Sequence, residues 1–100
     1  MAINIEKSEN GKQVTIKIDG RFDFSLHKDF RESYKDADEG QAYVVDMSGA
    51  DYMDSSALGM LLLLREHAGN DNANIKITGC QPAIKQIFSI SNFDKLFDIS

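Results

Sequence analysis

The sequence predicts an α/β fold in which helices lie on a mixed sheet of about four strands. Near the amino end, apolar and polar residues alternate on both sides of Asn10-Gly11, a pair typical of a tight two-residue hairpin turn. Farther along, short apolar segments alternate with segments of helical periodicity. Right-handed connections between such segments make a sheet that is parallel in part. The predicted order is β-β-α-β-α-β-α plus a short C-terminal element, within one domain over residues 1–100.

The hairpin is predicted over residues 3–7 and 13–19. Ile3 and Ile5 alternate with polar residues, and the second strand alternates in the same way. Gly20-Arg21-Phe22-Asp23 is expected to end it. The first helix is then predicted over residues 25–38, because apolar residues recur there at four-residue spacing.

Capping residues support that first helix. Ser25 is a suitable N-cap and Gly40 a suitable stop signal.

Residues 42–47 form a nearly continuous apolar run, which is typical of a central strand covered on both faces. Residues 48–53 are expected to form a loop.

The carboxyl half continues the alternation. A second helix is predicted over residues 55–68, ending near Gly69, and a strand over residues 75–78. Pro82 is suited to the first turn of a third helix. A short apolar element around residues 93–99 closes the chain.

Composition excludes several classes of partner. The net charge of −5 and the pI near 4.8 argue against nucleic acid and against anionic membranes, which attract clustered Lys and Arg. No apolar run approaches the ~20 residues of a membrane span. Because the amino end also lacks the layout of a signal peptide, we expect a cytoplasmic protein.

Nothing in the sequence predicts an enzyme. His27 and His67 lack the spacing of zinc ligands, and we interpret both as solvated helix residues. Cys80 is the one cysteine, which excludes a disulfide framework, and we interpret it as a core or near-core residue. No glycine-rich phosphate loop or nucleophile elbow occurs. We expect no catalytic residue, no metal and no cofactor.

The unusual local chemistry is Asp54-Ser55-Ser56, directly before a strongly apolar helix. One interpretation is a helix cap, in which a side-chain oxygen accepts a backbone N–H at ~1 kcal/mol. The other is a phosphorylation site, because a hydroxyl at the exposed start of a helix is within reach of another protein's active site. A phosphate there would meet free N–H groups and also lie beside Asp54 and near Asp51. Spacing alone leaves both interpretations open.

The helix that follows carries five consecutive apolar residues, from Met60 to Leu64, which cover every face of a helix. The sheet can bury only one stripe. The remaining residues either pack against neighbouring helices or form an exposed apolar patch for a partner. Gly59 is compatible with either arrangement.

The chain resembles the STAS family, the sulfate-transporter and anti-sigma-factor-antagonist group, over essentially its whole length. Gly20 and Asp23 match the family turn G-E-[L/I]-D. Residues 54–59 match the signature D-S-[S/T]-G-L-G, and residues 82–88 match P-x-[V/L]-x-x-[L/I]-F of the third helix. Within the family, the chain is most similar to stand-alone bacterial anti-anti-sigma factors.

That resemblance implies partner switching. The family's phosphorylated residue falls on Ser55. The implied partner is an anti-sigma factor that is itself an ATP-using serine kinase of the GHKL type, and a PP2C-type phosphatase reverses the change. The unmodified protein binds the anti-sigma factor and frees sigma, and the phosphorylated protein is released.

Two residues depart from the family pattern. Arg21 stands where the family has an acidic residue, which can alter partner choice through local charge. Ala57 replaces a glycine, and alanine is the better helix former by ~0.8–1 kcal/mol. Neither change removes the serine.

Five residues are expected to contact or support the partner surface: Asp23, Asp54, Ser56, Leu58 and Ile87. Asp23 is equally consistent with a turn-forming aspartate, and Ser56 with a plain first-turn serine. Leu58 and Ile87 are also consistent with core positions.

Other functions stay open. A STAS domain can also serve as an accessory subunit of a transporter complex, as a small-ligand-binding module, or as a partner-switch adaptor with an output other than sigma. The acidic charge and the absence of a phosphate loop weigh against a strong nucleotide site. Since no sustained heptad pattern occurs, we expect a monomer when the protein is free.

Overall fold

A computed structural model describes residues 2–37 and 41–100, and it shows one five-stranded sheet in the order β1-β2-β3-β4-β5. The strands are β1 (Ile3–Lys7), β2 (Gln13–Phe22), β3 (Ala42–Met53), β4 (Asn74–Thr78) and β5 (Asp98–Ile99). β1 and β2 are antiparallel, and every other neighbouring pair is parallel. The predicted mixed α/β sheet is confirmed, with one strand more than expected because the closing element pairs with β4.

The three helices connect the parallel strands. They are α1 (His27–Glu32), α2 (Ser55–Ala68) and α3 (Pro82–Ile90). α2 has the predicted bounds, since Gly69 takes a left-handed conformation (φ 112°) that suits glycine and ends the helix. Pro82 lies in the first turn of α3, as predicted.

The helices cover one face of the sheet. Consecutive parallel strands are added in one direction, so right-handed crossovers place α1, α2 and α3 on the same side. On that side Ile16 and Val45 are fully buried, whereas Val44 and Asp46 on the other side are half-buried. The expectation that residues 42–47 are covered on both faces is therefore wrong, although β3 is the middle strand.

β3 continues through residues 48–53, which the sequence predicted as a loop. Two bulges explain the difference, because each inserts one additional residue into β3 opposite β2. The buried side chains consequently fall at Met47, Ala50 and Met53, three residues apart, and the two-residue alternation disappears. β2 likewise extends to Phe22, beyond its predicted end.

The first helix is shorter than predicted. A 3-10 turn (Phe24–Leu26) precedes α1, which ends at Glu32. Asp23, not Ser25, is the N-cap of the 3-10 turn, because its carboxylate accepts the Ser25 backbone N–H. The predicted stop at Gly40 lies outside the described residues.

The hairpin connection is longer than the predicted two-residue turn. Residues 8–12 link β1 to β2, and Gly11 has a positive φ of 70°. The Asn10 side chain organises this loop by accepting hydrogen bonds from the Ser8 hydroxyl and the Lys12 backbone N–H, which makes a wider loop favourable.

Candidate functional site

Two aspartates leave the sheet side by side at the carboxyl ends of β2 and β3. Phe22 pairs with Met53 in the parallel ladder, and the Asp54 N–H donates to the Phe22 carbonyl at 3.4 Å. The next residues along the two strands are Asp23 and Asp54. The structure thus brings together two site residues that lie 31 positions apart in the sequence.

Asp54 caps α2. Its Oδ1 accepts the backbone N–H groups of Ser56 and Ala57 at 3.0 and 3.2 Å. The same oxygen accepts the Ser56 hydroxyl at 2.5 Å. The capping interpretation of this turn is therefore confirmed, and it falls on the aspartate.

Ser55 is the first residue of α2 and is exposed. Within the part of the chain that the structure describes, its hydroxyl has no hydrogen-bond partner, whereas the neighbouring Ser56 hydroxyl is occupied by Asp54. A capping aspartate and an exposed serine hydroxyl consequently coexist in this turn, on adjacent residues.

Asp23 caps the 3-10 turn with the same chemistry. Its Oδ1 accepts the Ser25 backbone N–H at 3.0 Å and the Ser25 hydroxyl at 2.5 Å. Arg21 adds an ion pair, with its Nε 3.4 Å from Oδ2. These bonds to the ionised form, that from the Ser25 hydroxyl first, hold the pKa of Asp23 below its usual value.

Arg21 is itself held by two partners. Its guanidinium carbon lies 3.9 Å from the centre of the Tyr52 ring, a cation–π contact, while its Nε faces Asp23. Arg21 and Tyr52 are paired across β2 and β3. Arg21, which stands where the resembled family has an acidic residue, is thus a cation that already has two partners.

The apolar run of α2 is divided between the core and solvent. Met60, Leu61 and Leu64 are buried, whereas Leu62 and Leu63 are 42% and 47% exposed. One face of α2 carries Ser55, Gly59 and Leu62, because these positions are spaced four and three residues apart. Leu62 and Leu63 are therefore exposed apolar residues of the run, and their contact with a partner stays a prediction.

Leu58 and Ile87 are both half-buried and pack against the hydrophobic core. Leu58 lies one turn into α2, close to the Asp54 cap in sequence, and Ile87 lies in the middle of α3. The structure therefore gives each of them a packing role and a partly exposed surface.

Two exposed aromatic residues at this edge were missed by the sequence analysis. Phe24 is 67% exposed and Tyr52 is 39% exposed. The sequence does contain a pattern that singles out Phe24. Asp-x-Ser occurs both at Asp23-Phe24-Ser25 and at Asp54-Ser55-Ser56, so Phe24 and Ser55 hold the same position in it. Only the parallel register shows that the two turns are neighbours.

The remaining titratable candidates are dispersed. Cys80 is half-buried, and burial raises the pKa of its thiol, which disfavours the reactive thiolate. The His27 ring stacks on Phe24 and the His67 ring contacts Tyr34, each at 5.1 Å between centroids. Across residues 2–37 and 41–100, no three His, Cys, Asp or Glu side chains form a group that could hold a metal ion.

A family model described as "Mlab, STAS domain" matches residues 5–98. The chain belongs to the STAS family. Among the described residues, no helix of this STAS domain has the length and apolar character that crossing a membrane requires.

Relatives agree with this assignment. A STAS-domain containing protein of Pseudomonas aeruginosa (strain UCBPP-PA14) is 54% identical over 101 residues, covering 100% of both chains. An anti-sigma factor antagonist from Mycobacterium paratuberculosis superposes with a TM-score of 0.79 at 19% identity, over 97% of this chain and 82% of that one. The phosphorylated form of the Bacillus cell fate determinant SpoIIAA gives 0.69 at 15%, over 99% and 91%. The STAS domain thus shares the fold of anti-sigma factor antagonists.

Proposed function

We propose that this STAS domain is an anti-sigma factor antagonist controlled by phosphorylation of Ser55. The unphosphorylated form binds an anti-sigma factor that is a serine kinase, and sigma is released. Phosphorylation ends the binding, and a PP2C-type phosphatase restores it. The observation that carries the proposal is the exposed Ser55 hydroxyl at the start of α2. It has no hydrogen-bond partner among the residues that the structure describes, whereas the Ser25 and Ser56 hydroxyls donate to aspartates.

The surroundings of Ser55 explain why a phosphate would end binding. A phosphoserine carries ~1.5–2 negative charges. Asp54 already accepts the Ser56 and Ala57 backbone N–H groups, so the expectation that a phosphate meets free N–H groups there does not hold for these two. The added charge would stay largely uncompensated beside Asp54 and Asp51, in a surface that includes exposed apolar residues.

The other site residues have supporting roles in this proposal. Asp54 and Ser56 fix the start of α2 and so aim Ser55 at solvent. Asp23 fixes the neighbouring turn. Leu58 and Ile87 contribute their exposed parts to the partner surface. Fold likeness to antagonists, one of them solved in a phosphorylated form, supports the proposal.

Phosphate mapping tests the acceptor. The purified domain is incubated with ATP and, in turn, each GHKL-type serine kinase of its own organism, and phosphate is located by mass spectrometry. We expect modification of Ser55, loss of modification in Ser55→Ala, and retention in the matched variant Ser56→Ala. Phosphate on Ser56 or Ser25, or none with any of these kinases, would contradict the proposal.

Binding tests the switch. The kinase identified in that screen should bind Ser55→Ala as tightly as the unmodified domain. It should bind Ser55→Asp at least about tenfold more weakly, because a fixed charge is placed in the contact surface. Calorimetric titration measures both dissociation constants. Equal affinity for Ser55→Asp and the unmodified domain would refute the electrostatic explanation.

A further inference from the structure

Phe24 is the most exposed aromatic side chain near the candidate site, at 67% exposure. It is the first residue of the 3-10 turn and follows the capping Asp23, as Ser55 is the first residue of α2 and follows the capping Asp54. The two turns use matching bonds, since each aspartate accepts the backbone N–H and the hydroxyl of the serine two residues later. Phe24 therefore occupies the position in its turn that Ser55 occupies in the other.

The register places these two residues next to each other. Phe22 and Met53 are paired, and parallel strands run ~4.8 Å apart, so two matching turns that leave them begin about one strand spacing apart. The backbone carbonyls of Asp23 and Asp54 each accept an N–H three residues later, at 3.1 and 3.2 Å, so the turns also start in the same direction. An aromatic ring and an acceptor hydroxyl are thereby presented together.

The Phe24 ring is oriented but not buried. It stacks on His27 with 5.1 Å between centroids and 21° between planes, which restrains one face and leaves the rest open to solvent. A large aromatic side chain that is already ordered loses little conformational freedom on binding, and such side chains often dominate interface energies.

The charges around Phe24 indicate the chemistry of its partner. Three carboxylates lie in or just before the two turns: Asp23, Asp51 and Asp54. Two cations lie in the same segments, Arg21, which is engaged by Asp23 and Tyr52, and the exposed Lys28, one helical turn after Phe24. A complementary surface would have an apolar pocket for one ring and a rim of Lys or Arg side chains.

We propose that Phe24 is the apolar anchor by which the serine-kinase partner holds this domain, and that a phosphate on Ser55 acts by placing charge at the edge of that contact. This inference rests on the proposed function and adds a residue and a partner chemistry to it. Anchors of this kind lose their effect when the surrounding rim cannot exclude water, and a hydrated phosphate in the neighbouring turn would prevent that exclusion.

Ile90 provides a matched control. It is 74% exposed, but it is the last residue of α3, which returns from the carboxyl end of β4 toward the amino end of β5. Ile90 is therefore a comparably exposed apolar side chain that lies toward the opposite ends of the parallel strands.

Photo-crosslinking in the protein's own cells tests the anchor. The photoreactive residue p-benzoylphenylalanine replaces Phe24, Leu62 or Ile90 in the full chain, and captured proteins are identified by mass spectrometry. We expect position 24 to capture a serine kinase, position 90 not to capture it, and Ser55→Asp to abolish the capture. With that kinase purified, Phe24→Ala should weaken binding at least about tenfold, and Ile90→Ala less than twofold.

Each other outcome is decisive. Capture of the kinase from position 62 but not from position 24, or equal capture from positions 24 and 90, overturns the anchor while leaving the proposed function intact. If position 24 captures the kinase equally well with and without Ser55→Asp, the proposed switch is overturned, and so is the link between the anchor and the switch. Capture of no kinase at any position overturns both.

Discussion

The Asp23 turn and the Asp54 turn share two hydrogen bonds, from the backbone N–H and the hydroxyl of a serine, at the ends of neighbouring strands, yet they present different side chains to solvent. Between the aspartate and the bonded serine, one turn carries Phe24 and the other carries Ser55. The following helices also differ, since α2 has 14 residues and α1 has six. The cap fixes the direction of each turn, and the single residue inside it determines what a partner meets.

The two caps differ further in how their acceptor oxygens are used. Asp54 accepts two backbone N–H groups of α2, whereas Asp23 accepts one and pairs its other oxygen with Arg21. Asp54 is accordingly committed to the helix, while Asp23 also organises the charged side chain beside Tyr52. Four predictions sharpen this comparison.

The largest effect is expected for Phe22→Ala, just before the Asp23 turn. Phe22 is fully buried and packs on Phe30 with 5.3 Å between ring centroids, so truncation should lower the free energy of unfolding by about 3–5 kcal/mol. Phe24→Ala is the control, and it should change this free energy by less than about 0.5 kcal/mol because the ring is exposed. Urea denaturation measures both. A large loss in Phe24→Ala would show that its ring is structural.

Removal of the two capping carboxylates should lower the free energy of unfolding by different amounts. Asp54→Ala should lower the free energy of unfolding by about 1–2 kcal/mol, because two N–H groups of a 14-residue helix lose their acceptor. Asp23→Ala should cost less, since the turn it caps leads into a short helix. The same urea experiment compares them, and equal losses would contradict the proposed difference between the caps.

Gly59 offers a gain of stability in α2 that leaves both caps intact. A Cβ added there meets nothing within 4 Å, so Gly59→Ala should raise the free energy of unfolding by about 0.5–1 kcal/mol. Gly79→Ala should do the opposite, because Gly79 has φ 71° and its added Cβ would lie 2.9 Å from the Ser48 Cβ. Thermal unfolding distinguishes the two, and a loss in Gly59→Ala would indicate a closer neighbour on this face.

The smallest effect is expected from acid. The pKa of Asp23 is lowered in the folded state, so the stability it contributes is present above its usual pKa and is lost as the pH falls through the lowered value. An NMR titration of the carboxyl carbon should find a midpoint below the usual pKa of an aspartate. Ser25→Ala should raise that midpoint, because the Ser25 hydroxyl is the largest cause of the shift. An unchanged midpoint would assign the shift to another group.

Sequence reasoning predicted α2 best, because an Asp-Ser start, an apolar run and Gly69 all agree on its bounds. β3 was predicted too short because two bulges disrupt the alternation that identifies a strand. α1 was predicted too long because Leu26, Phe30 and Tyr34 are all buried at helical spacing, although the helix itself ends at Glu32. Burial at four-residue spacing therefore did not guarantee continuous helix.

The candidate site was predicted only in part. Asp54 and Ser55 are adjacent, so their turn could be found from spacing. That Asp23 lies beside Asp54, and Phe24 beside Ser55, depends on the register of β2 and β3, which the sequence does not encode locally. The prediction consequently named both aspartates but omitted the aromatic residue between Asp23 and Ser25.

The bulge at Asp51 has a consequence for how this domain can diverge. Asp51 is the extra residue of β3 between the pairs Gly20–Ala50 and Arg21–Tyr52, and it has no partner of its own in β2. A deletion at this position would not shorten a loop. It would remove the bulge and keep the pairs Arg21–Tyr52 and Phe22–Met53, so β3 would become regular at its end and the Asp54 turn would keep its place beside the Asp23 turn.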